Sequence, residues 1–155
     1  MPRGDAEGML ATQGGETNGY GLYLVNGKPV FTYNLLDMER FRWAAPTALA
    51  PGKHSIVFDF TYDGPGIAKG GTGALKVDGM EAATLKIPRT IPFTMPLDES
   101  FDVGLDTRTG VNDADYRPPF RFTGTIDRLT FKVGPTQFTS LDQQIIQHAL
   151  DKARD

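Results

Sequence analysis

Apolar and polar residues alternate along much of the chain, and this period of two is the dominant pattern in the sequence. Between residues 56 and 62 every second position is apolar, namely Ile56, Phe58, Phe60 and Tyr62, and the polar Asp59 and Thr61 fall between them. Residues 127–133 repeat the pattern with Leu129, Phe131 and Val133. Because successive side chains of a strand point to opposite faces, this alternation predicts half-buried antiparallel strands.

Turn signals divide the chain into nine predicted strands. Asn26-Gly27 and Asp78-Gly79 are favoured in two-residue hairpin turns. Ile126 is out of phase with Leu129, which predicts a β-bulge near Gly124. So many strands favour two packed sheets over one open sheet, and the expected fold is an all-β, two-sheet antiparallel β-sandwich. The predicted strands are residues 7–13, 19–26, 28–36, 39–44, 54–62, 74–78, 81–88, 101–105 and 122–133.

The end of the chain shows a helical period instead. Ser140 and Gln143 have the spacing of an N-terminal capping box. Apolar residues then recur at helical spacing: Leu141, Ile145, Ile146, Ala149 and Leu150. The pattern predicts one C-terminal amphipathic α-helix over residues 140–153, whose apolar stripe docks on the same chain or on a partner. Docking on the same chain is the more ordinary of the two outcomes.

Composition limits the class of protein. Residues 1–155 have the length of a single domain. The net charge of −3 and the lack of a basic run argue against nucleic acid or a membrane surface as a partner. The absence of cysteine excludes disulfides, zinc thiolate sites and a cysteine nucleophile. No apolar run approaches the ~20 residues that cross a bilayer, and no signal peptide is predicted, so the cytoplasm is the default compartment.

Residues for catalysis are scarce, and no catalytic residue is assigned. His54 and Ser55 are neighbours on a predicted strand, so their side chains point to opposite faces and do not form a base–nucleophile pair. A glycosidase needs two carboxylates on opposite sides of the sugar bond that it cleaves. Asp59 and Asp127 each lie on a predicted strand and are the candidates for such a pair. Outward carboxylates on half-exposed strands are ordinary solvent-face residues, so this interpretation is disfavoured.

Two loops and the aromatic residues supply the candidate ligand contacts. The glycine-rich residues 64–73 lack the Gly-x4-Gly-Lys-Ser/Thr motif of a phosphate-binding loop, so they predict a long flexible hairpin loop. Lys69 in this loop would contact an anionic ligand or a partner surface. Trp43 and Tyr116, if exposed, would form a platform on which a sugar stacks. A buried tryptophan within a β-sandwich is the more frequent situation, so a core position is favoured for Trp43.

The polar residues 102–116 form a candidate calcium loop. Irregular loops rich in carboxylate and amide oxygens suit Ca²⁺, although this loop lacks the EF-hand spacing. Asp and Asn also cap turns in loops without a metal, and both interpretations remain open. The candidate ligands are Asp102, Asp106, Asn112 and Asp113. No cofactor other than calcium is predicted.

A series of motifs follows in order along the chain, including Phe58-Asp59-Phe60-Thr61-Tyr62-Asp63-Gly64 and Lys69-Gly70-Gly71-Thr72-Gly73. The motifs occupy residues 7–15, 19–34, 40–43, 49–54, 58–64, 69–73, 87–93, 101–107 and 120–127. Together they resemble the non-catalytic C-terminal region of bacterial arylsulfatases, over about residues 6–134. The resemblance implies a jelly-roll β-sandwich of the laminin-G or concanavalin-A-like kind and does not account for the predicted C-terminal helix.

The departure from that family is as informative as the match. Such sulfatases use a formylglycine made from Cys or Ser in a Cys/Ser-x-Pro/Ala-x-Arg motif, and no serine of this chain begins one. The resemblance therefore implies an accessory domain of a sulfuric ester hydrolase that packs against a catalytic domain and is not an enzyme by itself. A free-standing module that binds a glycan or another protein, with or without Ca²⁺, remains the alternative. An independent enzyme ranks last.

Overall fold

The computed structural model describes residues 6–91 and 99–152. These residues form two mostly antiparallel β-sheets followed by one C-terminal helix. The elements are β1 (Gly8–Gly14), β2 (Gly19–Val25), β3 (Lys28–Leu35), β4 (Glu39–Ala44), β5 (Ile56–Tyr62), β6 (Gly71–Val77), β7 (Met80–Ile87), β8 (Phe101–Val103), β9 (Leu105–Asp106), β10 (Phe120–Arg121) and α1 (Ser140–Lys152).

The larger sheet has the strand order β4-β3-β2-β1-β10-β9, and β8 also pairs with β1. Its one parallel pairing in the described residues joins Met9 of β1 to Arg121 of β10. The smaller sheet has the order β5-β6-β7. Both predicted hairpins are confirmed: Asn26 and Asp78, each followed by glycine, adopt the positive φ angles of 51° that tight hairpin turns require.

The two sheets pack against one another through aromatic residues. Phe31 of β3 stacks on Phe58 of β5 with ring centroids 3.5 Å apart. The indole N–H of Trp43 donates a hydrogen bond of 2.9 Å to the carbonyl oxygen of Gly73 on the facing sheet. A Cβ atom at Gly73 would lie 2.7 Å from the Trp43 ring, so this approach requires glycine. Leu75 and Ile87 complete the buried cluster around Trp43.

The opposite face of the larger sheet is covered by the loop 107–119. Val111 and Tyr116 from this loop pack on Met9, Tyr23 and Val30. The centre of the larger sheet is therefore buried on both faces, by the smaller sheet on one side and by a loop on the other.

The predicted strand 122–133 is wrong. Sheet pairing ends at Arg121. Two residues later, the Thr123 N–H donates a hydrogen bond of 2.8 Å to the carbonyl oxygen of Glu7, which directly precedes β1. The chain then leaves the sheet at Gly124, so the predicted bulge there has no ladder to interrupt. Alternation of side chains indicates which residues share a face, but a strand also needs a neighbouring backbone within hydrogen-bond distance.

Residues 127–137 instead follow β5 from one end to the other. The Lys53 ammonium, just before β5, lies 2.7 Å from the Asp127 carboxylate. Beyond the other end of β5, the Gly66 N–H donates to the Gln137 carbonyl oxygen at 2.8 Å. This segment thus runs parallel to β5 but forms no strand ladder with it in the described residues. The predicted strand 101–105 is divided at Gly104 into β8 and β9.

The predicted helix forms, but with a different cap. Thr139, not Ser140, accepts the hydrogen bond from the Asp142 N–H at 3.1 Å, and the Asp142 carboxylate accepts in return from the Thr139 N–H at 2.8 Å. The predicted docking on the same chain is not observed, since no residue of α1 is buried. Among the described residues no helix has the length and apolar character to span a membrane.

Candidate interaction surface

The candidate calcium loop folds around tyrosine hydroxyls. Asp106 is 2% exposed and accepts a 2.6 Å hydrogen bond from the Tyr116 hydroxyl. Asn112 is also buried, and its side-chain oxygen accepts from the Ala114 N–H at 3.2 Å. The Asp102 carboxylate accepts from the Ser100 hydroxyl at 3.0 Å. These oxygens accept hydrogen bonds within the loop and stabilise its turns, as Asp and Asn do in loops that bind no metal.

The aspartates of the predicted calcium set do not converge. Within residues 6–91 and 99–152 there is no group of three or more His, Cys, Asp or Glu side chains that could hold a metal ion. Asp102, Asp106 and Asp113 therefore do not form such a group. Calcium binding at this loop stays a prediction.

A second tyrosine–carboxylate contact fixes the same loop to the larger sheet. The Tyr23 hydroxyl donates to the Asp115 carboxylate at 2.6 Å and lies 2.7 Å from the Thr32 hydroxyl. The Arg42 guanidinium donates to the same Asp115 oxygen at 2.7 Å. Burial, followed by the hydrogen bond to Asp115, raises the pKa of Tyr23 far above its usual value. This phenol stays protonated and acts as a structural donor.

The predicted ligand contacts Trp43 and Tyr116 both lie in the core. Trp43 is 1% and Tyr116 is 6% exposed, so neither ring presents a face to a ligand. For Trp43 this agrees with the favoured core position. Lys69 is the exposed member of the predicted set.

The glycine-rich loop that carries Lys69 is organised around one hydroxyl group. The Tyr62 hydroxyl donates to the Gly66 carbonyl oxygen at 2.5 Å and accepts from the Lys69 N–H at 2.9 Å. The loop joins β5 and β6 as a hairpin, as predicted. These two bonds join both ends of the loop's tip to the Tyr62 side chain of β5.

Two depressions in the described surface are small. One, with a volume of about 30 Å³, is bordered by Tyr20, Tyr33 and Ile91. The other, of about 240 Å³, lies between Tyr62 and Phe138. Both are smaller than the roughly 300–1,000 Å³ of typical small-molecule sites. Neither brings together charged side chains that would orient a polar ligand.

The candidate acid–base residues are held in local ion pairs. The Nδ1 atom of His54 lies 2.7 Å from the Asp78 carboxylate, and its Nε2 atom lies 2.7 Å from the Ala50 carbonyl oxygen. Both neighbours are acceptors, so the imidazolium, with a proton on each ring nitrogen, is the form that fits both contacts. The hydrogen bond with Asp78 accordingly raises the pKa of His54. Asp59 and Asp127 each pair with a lysine, at 2.7 Å from Lys76 and Lys53 respectively.

The most unusual feature of the described surface is a group of exposed apolar side chains, which we call the apolar strip. Its members are Phe101, Val103, Phe131 and Val133, which are 46%, 47%, 54% and 91% exposed. Phe101 and Val103 lie two positions apart on β8, so their side chains share one face of the strand. They pair with Gln13 and Ala11 of β1.

The apolar strip joins two parts of the chain. The Phe131 ring meets the Phe101 ring edge-on, with centroids 5.4 Å apart and planes at 72°. Val133 lies two residues further along the same segment, which follows β5 without joining it. The sequence indicates that these residues are apolar and share a face. It cannot indicate that the face is uncovered, because the same alternation describes a strand that faces a core.

The chain was compared with protein-family models, curated protein sequences and solved structures, and none of the three comparisons gave a match.

Proposed function

We propose that this chain is a non-catalytic accessory domain of an arylsulfatase-type sulfuric ester hydrolase, with a jelly-roll β-sandwich fold, that binds a catalytic domain through the apolar strip. The observation that carries the proposal is the strip itself. Four large apolar side chains on two adjacent segments remain 46–91% exposed. Large contiguous apolar patches on a soluble protein are typical of interaction sites.

The path of the chain supports a jelly roll. β10 pairs with β1 in the larger sheet, and the chain then crosses at Gly124 to follow β5 of the smaller sheet. Chain segments that change sheets in this way make the corners of two-sheet folds. The crossing brings Phe131 beside Phe101, so the same feature that fits a jelly roll also builds the apolar strip.

The chemistry of the described residues supports a role without catalysis. The hydrogen bonds of Tyr23, Asp106 and Tyr116 hold the loop 107–119, and His54 is held between Asp78 and the Ala50 carbonyl oxygen. The sequence also lacks the Cys/Ser-x-Pro/Ala-x-Arg motif. Any sulfate ester hydrolysis would then belong to the partner, and this domain would shape or stabilise that partner.

The glycan-binding alternative has less support. A sugar platform needs an exposed aromatic face beside polar groups, whereas Trp43 and Tyr116 are buried. Phe101 and Phe131, the two most exposed phenylalanines among the described residues, belong to an apolar group that suits a protein surface better than a carbohydrate.

The first experiment is to sequence the genomic DNA that flanks the coding region, in search of a sulfatase catalytic domain in the same or a neighbouring reading frame. That domain is then produced separately, and its affinity for this chain is measured by isothermal titration calorimetry. We expect binding by the unmodified chain and a loss of about 30-fold in affinity for Phe131→Asp, as for a buried interface anchor.

Thr130→Asp is the matched control, because it adds the same charge at the neighbouring exposed position, where the side chain is not a member of the apolar strip. It should bind within about twofold of the unmodified chain, as rim positions do. The proposal is wrong if no sulfatase domain is encoded there, if the domain does not bind, or if both variants lose affinity equally.

A further inference from the structure

The outer edge of β5 is unpaired in the structure. β5 is an edge strand of the smaller sheet, and among the described residues only β6 pairs with it. Its side chains are also incompletely covered, since Val57 and Phe60 are each 40% exposed. An unpaired strand edge is a template to which a further strand can add, and natural proteins usually cover it.

Residues 127–133 lie beside this edge and have the sequence of a strand, with apolar residues at every second position. The ion pair of Lys53 with Asp127 holds the start of the segment at the start of β5. Beyond the end of β5, the Gly66 N–H donates to the Gln137 carbonyl oxygen at 2.8 Å. At that end the two backbones have already reached the hydrogen-bond distance of a sheet.

The segment also lies on the side of the larger sheet that the smaller sheet covers. One row of paired residues crosses β8, β1, β2 and β3: Val103, Ala11, Leu22 and Phe31. Paired residues of neighbouring strands share a face, and Phe31 stacks on Phe58 of β5. Val103 and Phe101 of β8 therefore face the smaller sheet's side, where Phe131 contacts Phe101. A fourth strand of the smaller sheet, beside β5, would lie on this side.

We propose that residues 128–133 are a strap that closes onto β5 as a parallel fourth strand of the smaller sheet. Closing moves the apolar strip from the surface into the interior between the two sheets. The structure shows the open form, in which no ladder joins the strap to β5. The strap is parallel to β5 because its two ends are held at the corresponding ends of that strand.

The contacts at the two ends limit the register of the closed form. Lys53 and Asp127 are 74 positions apart, and Gly66 and Gln137 are 71 apart. Within these limits only 71 and 73 set the apolar residues of the strap on the inward face of β5, because a slip of one residue reverses the faces. A separation of 73 forms three apolar pairs: Leu129 with Ile56, Phe131 with Phe58, and Val133 with Phe60.

The charges on the outer face favour 73 over 71. At 73 Lys132 lies beside Asp59, whereas at 71 it lies beside Thr61. The Asp59 carboxylate is 55% exposed, and its Oδ2 atom lies 2.7 Å from the Lys76 ammonium of β6. A carboxylate has about four acceptor positions, so Asp59 can bind one lysine from each neighbouring strand.

The first test is a disulfide in the closed register, in a chain that has no cysteine of its own. Thr130→Cys with Val57→Cys places two exposed positions side by side at a separation of 73. We expect oxidised glutathione to link them within one chain, as counted by mass spectrometry after thiol alkylation. The control pairs Thr130→Cys with Ser55→Cys, also exposed. These residues lie two positions out of register and beyond the span of a disulfide, so they should link at least about tenfold more slowly.

The second test measures the ladder itself. In the linked Thr130→Cys/Val57→Cys chain, the β5 amides that point away from β6 should exchange with deuterium at least about tenfold more slowly than after reduction. Equal linking rates in the two pairs, no linking, or linking without slower exchange would each overturn the proposal. Circular dichroism of the reduced chains checks that both variants are folded.

The consequence for binding rests on the proposed function. A closed strap covers the apolar strip, so the linked chain should bind the sulfatase catalytic domain at least about tenfold more weakly than the reduced chain. Equal affinities would overturn the covering of the strip. The linking and exchange experiments use this chain alone. If the catalytic domain binds neither form, the proposed function is wrong, and those two experiments still decide whether the strap closes.

Discussion

The hydroxyl of Tyr23 lies 2.6 Å from the carboxylate of Asp115, although 92 residues separate them in sequence. This bond joins β2, at the centre of the larger sheet, to the loop that covers it. The Arg42 guanidinium shares the same carboxylate oxygen at 2.7 Å. The larger sheet thus has one face closed by the smaller sheet and the other closed by a loop that polar contacts hold in place.

Tyr23→Phe should destabilise the protein. The substitution keeps the ring in the core but leaves the Thr32 hydroxyl without its acceptor and removes one donor from the Asp115 carboxylate. A buried partner left unsatisfied costs about 1–3 kcal/mol in the free energy of unfolding, which urea denaturation measures. Tyr20→Phe is the control, because its hydroxyl makes a single 3.3 Å bond to Gln13 in a half-exposed position. Equal losses in the two variants would contradict the structural role of the Tyr23–Asp115 bond.

Gly73→Ala should also destabilise the protein, by a different mechanism. The added Cβ would lie 2.7 Å from the Trp43 ring and 2.6 Å from the Phe58 ring, so the two sheets would have to separate. Overpacking of this kind costs about 1–3 kcal/mol. Gly134→Ala meets no atom within 4 Å, so its effect should stay within about 0.5 kcal/mol. Thermal unfolding of the two variants side by side checks the difference.

Local signals in the sequence predict much of this fold. Asn26-Gly27 and Asp78-Gly79 mark both hairpins, because only a few residue pairs accept positive φ angles there. Short-range alternation likewise predicts strands such as β5 and β7 within two residues of their ends. These features depend on neighbours in sequence, and a single sequence contains that information.

Features that depend on distant parts of the chain are not predicted. Residues 127–133 alternate as regularly as β5 does, yet they have no ladder partner in the described structure, and Phe131 is 54% exposed. The asparagine and aspartate residues of 102–116 predict calcium ligands, and the sequence does not indicate that the Tyr116 hydroxyl binds Asp106 or that Tyr23, from β2, binds Asp115. The candidate interaction surface depends on which faces stay uncovered, and that is decided by long-range packing.

The His54–Asp78 pair should make stability depend on pH. Its hydrogen bond with Asp78 raises the pKa of His54, and the same bond lowers the pKa of Asp78. The contribution of His54 is therefore complete below its unfolded pKa of about 6.5 and is lost as pH rises through its higher folded pKa. The contribution of Asp78 is present above its unfolded pKa of 3.8 and is lost as pH falls through its lower folded pKa.

The pair consequently stabilises the fold most between about pH 4 and 6.5. We expect His54→Gln to lower the free energy of unfolding in that range and to approach the unmodified chain as the solution becomes alkaline. Urea denaturation at a series of pH values measures this difference. His148→Gln removes an imidazole from α1, outside the sheets, and should show no comparable trend. A difference that grows toward alkaline pH would contradict the assigned imidazolium.

The N-terminal cap of α1 is Ser140 in the sequence prediction and Thr139 in the structure, and two substitutions distinguish them. Thr139→Ala removes the hydroxyl that accepts from the Asp142 N–H and donates to its carboxylate, so two of the three hydrogen bonds of the cap are lost and only the bond from the Thr139 N–H to Asp142 remains. Loss of a cap costs about 1 kcal/mol of helix stability. Because no residue of α1 is buried, this loss should appear as faster amide exchange along Ser140–Lys152, with exchange in the sheets unchanged. Ser140→Ala, at the position that the sequence pattern predicts as the cap, should leave that exchange close to that of the unmodified chain. If Ser140→Ala accelerates amide exchange and Thr139→Ala does not, Ser140 is the capping residue and the assignment of Thr139 is wrong.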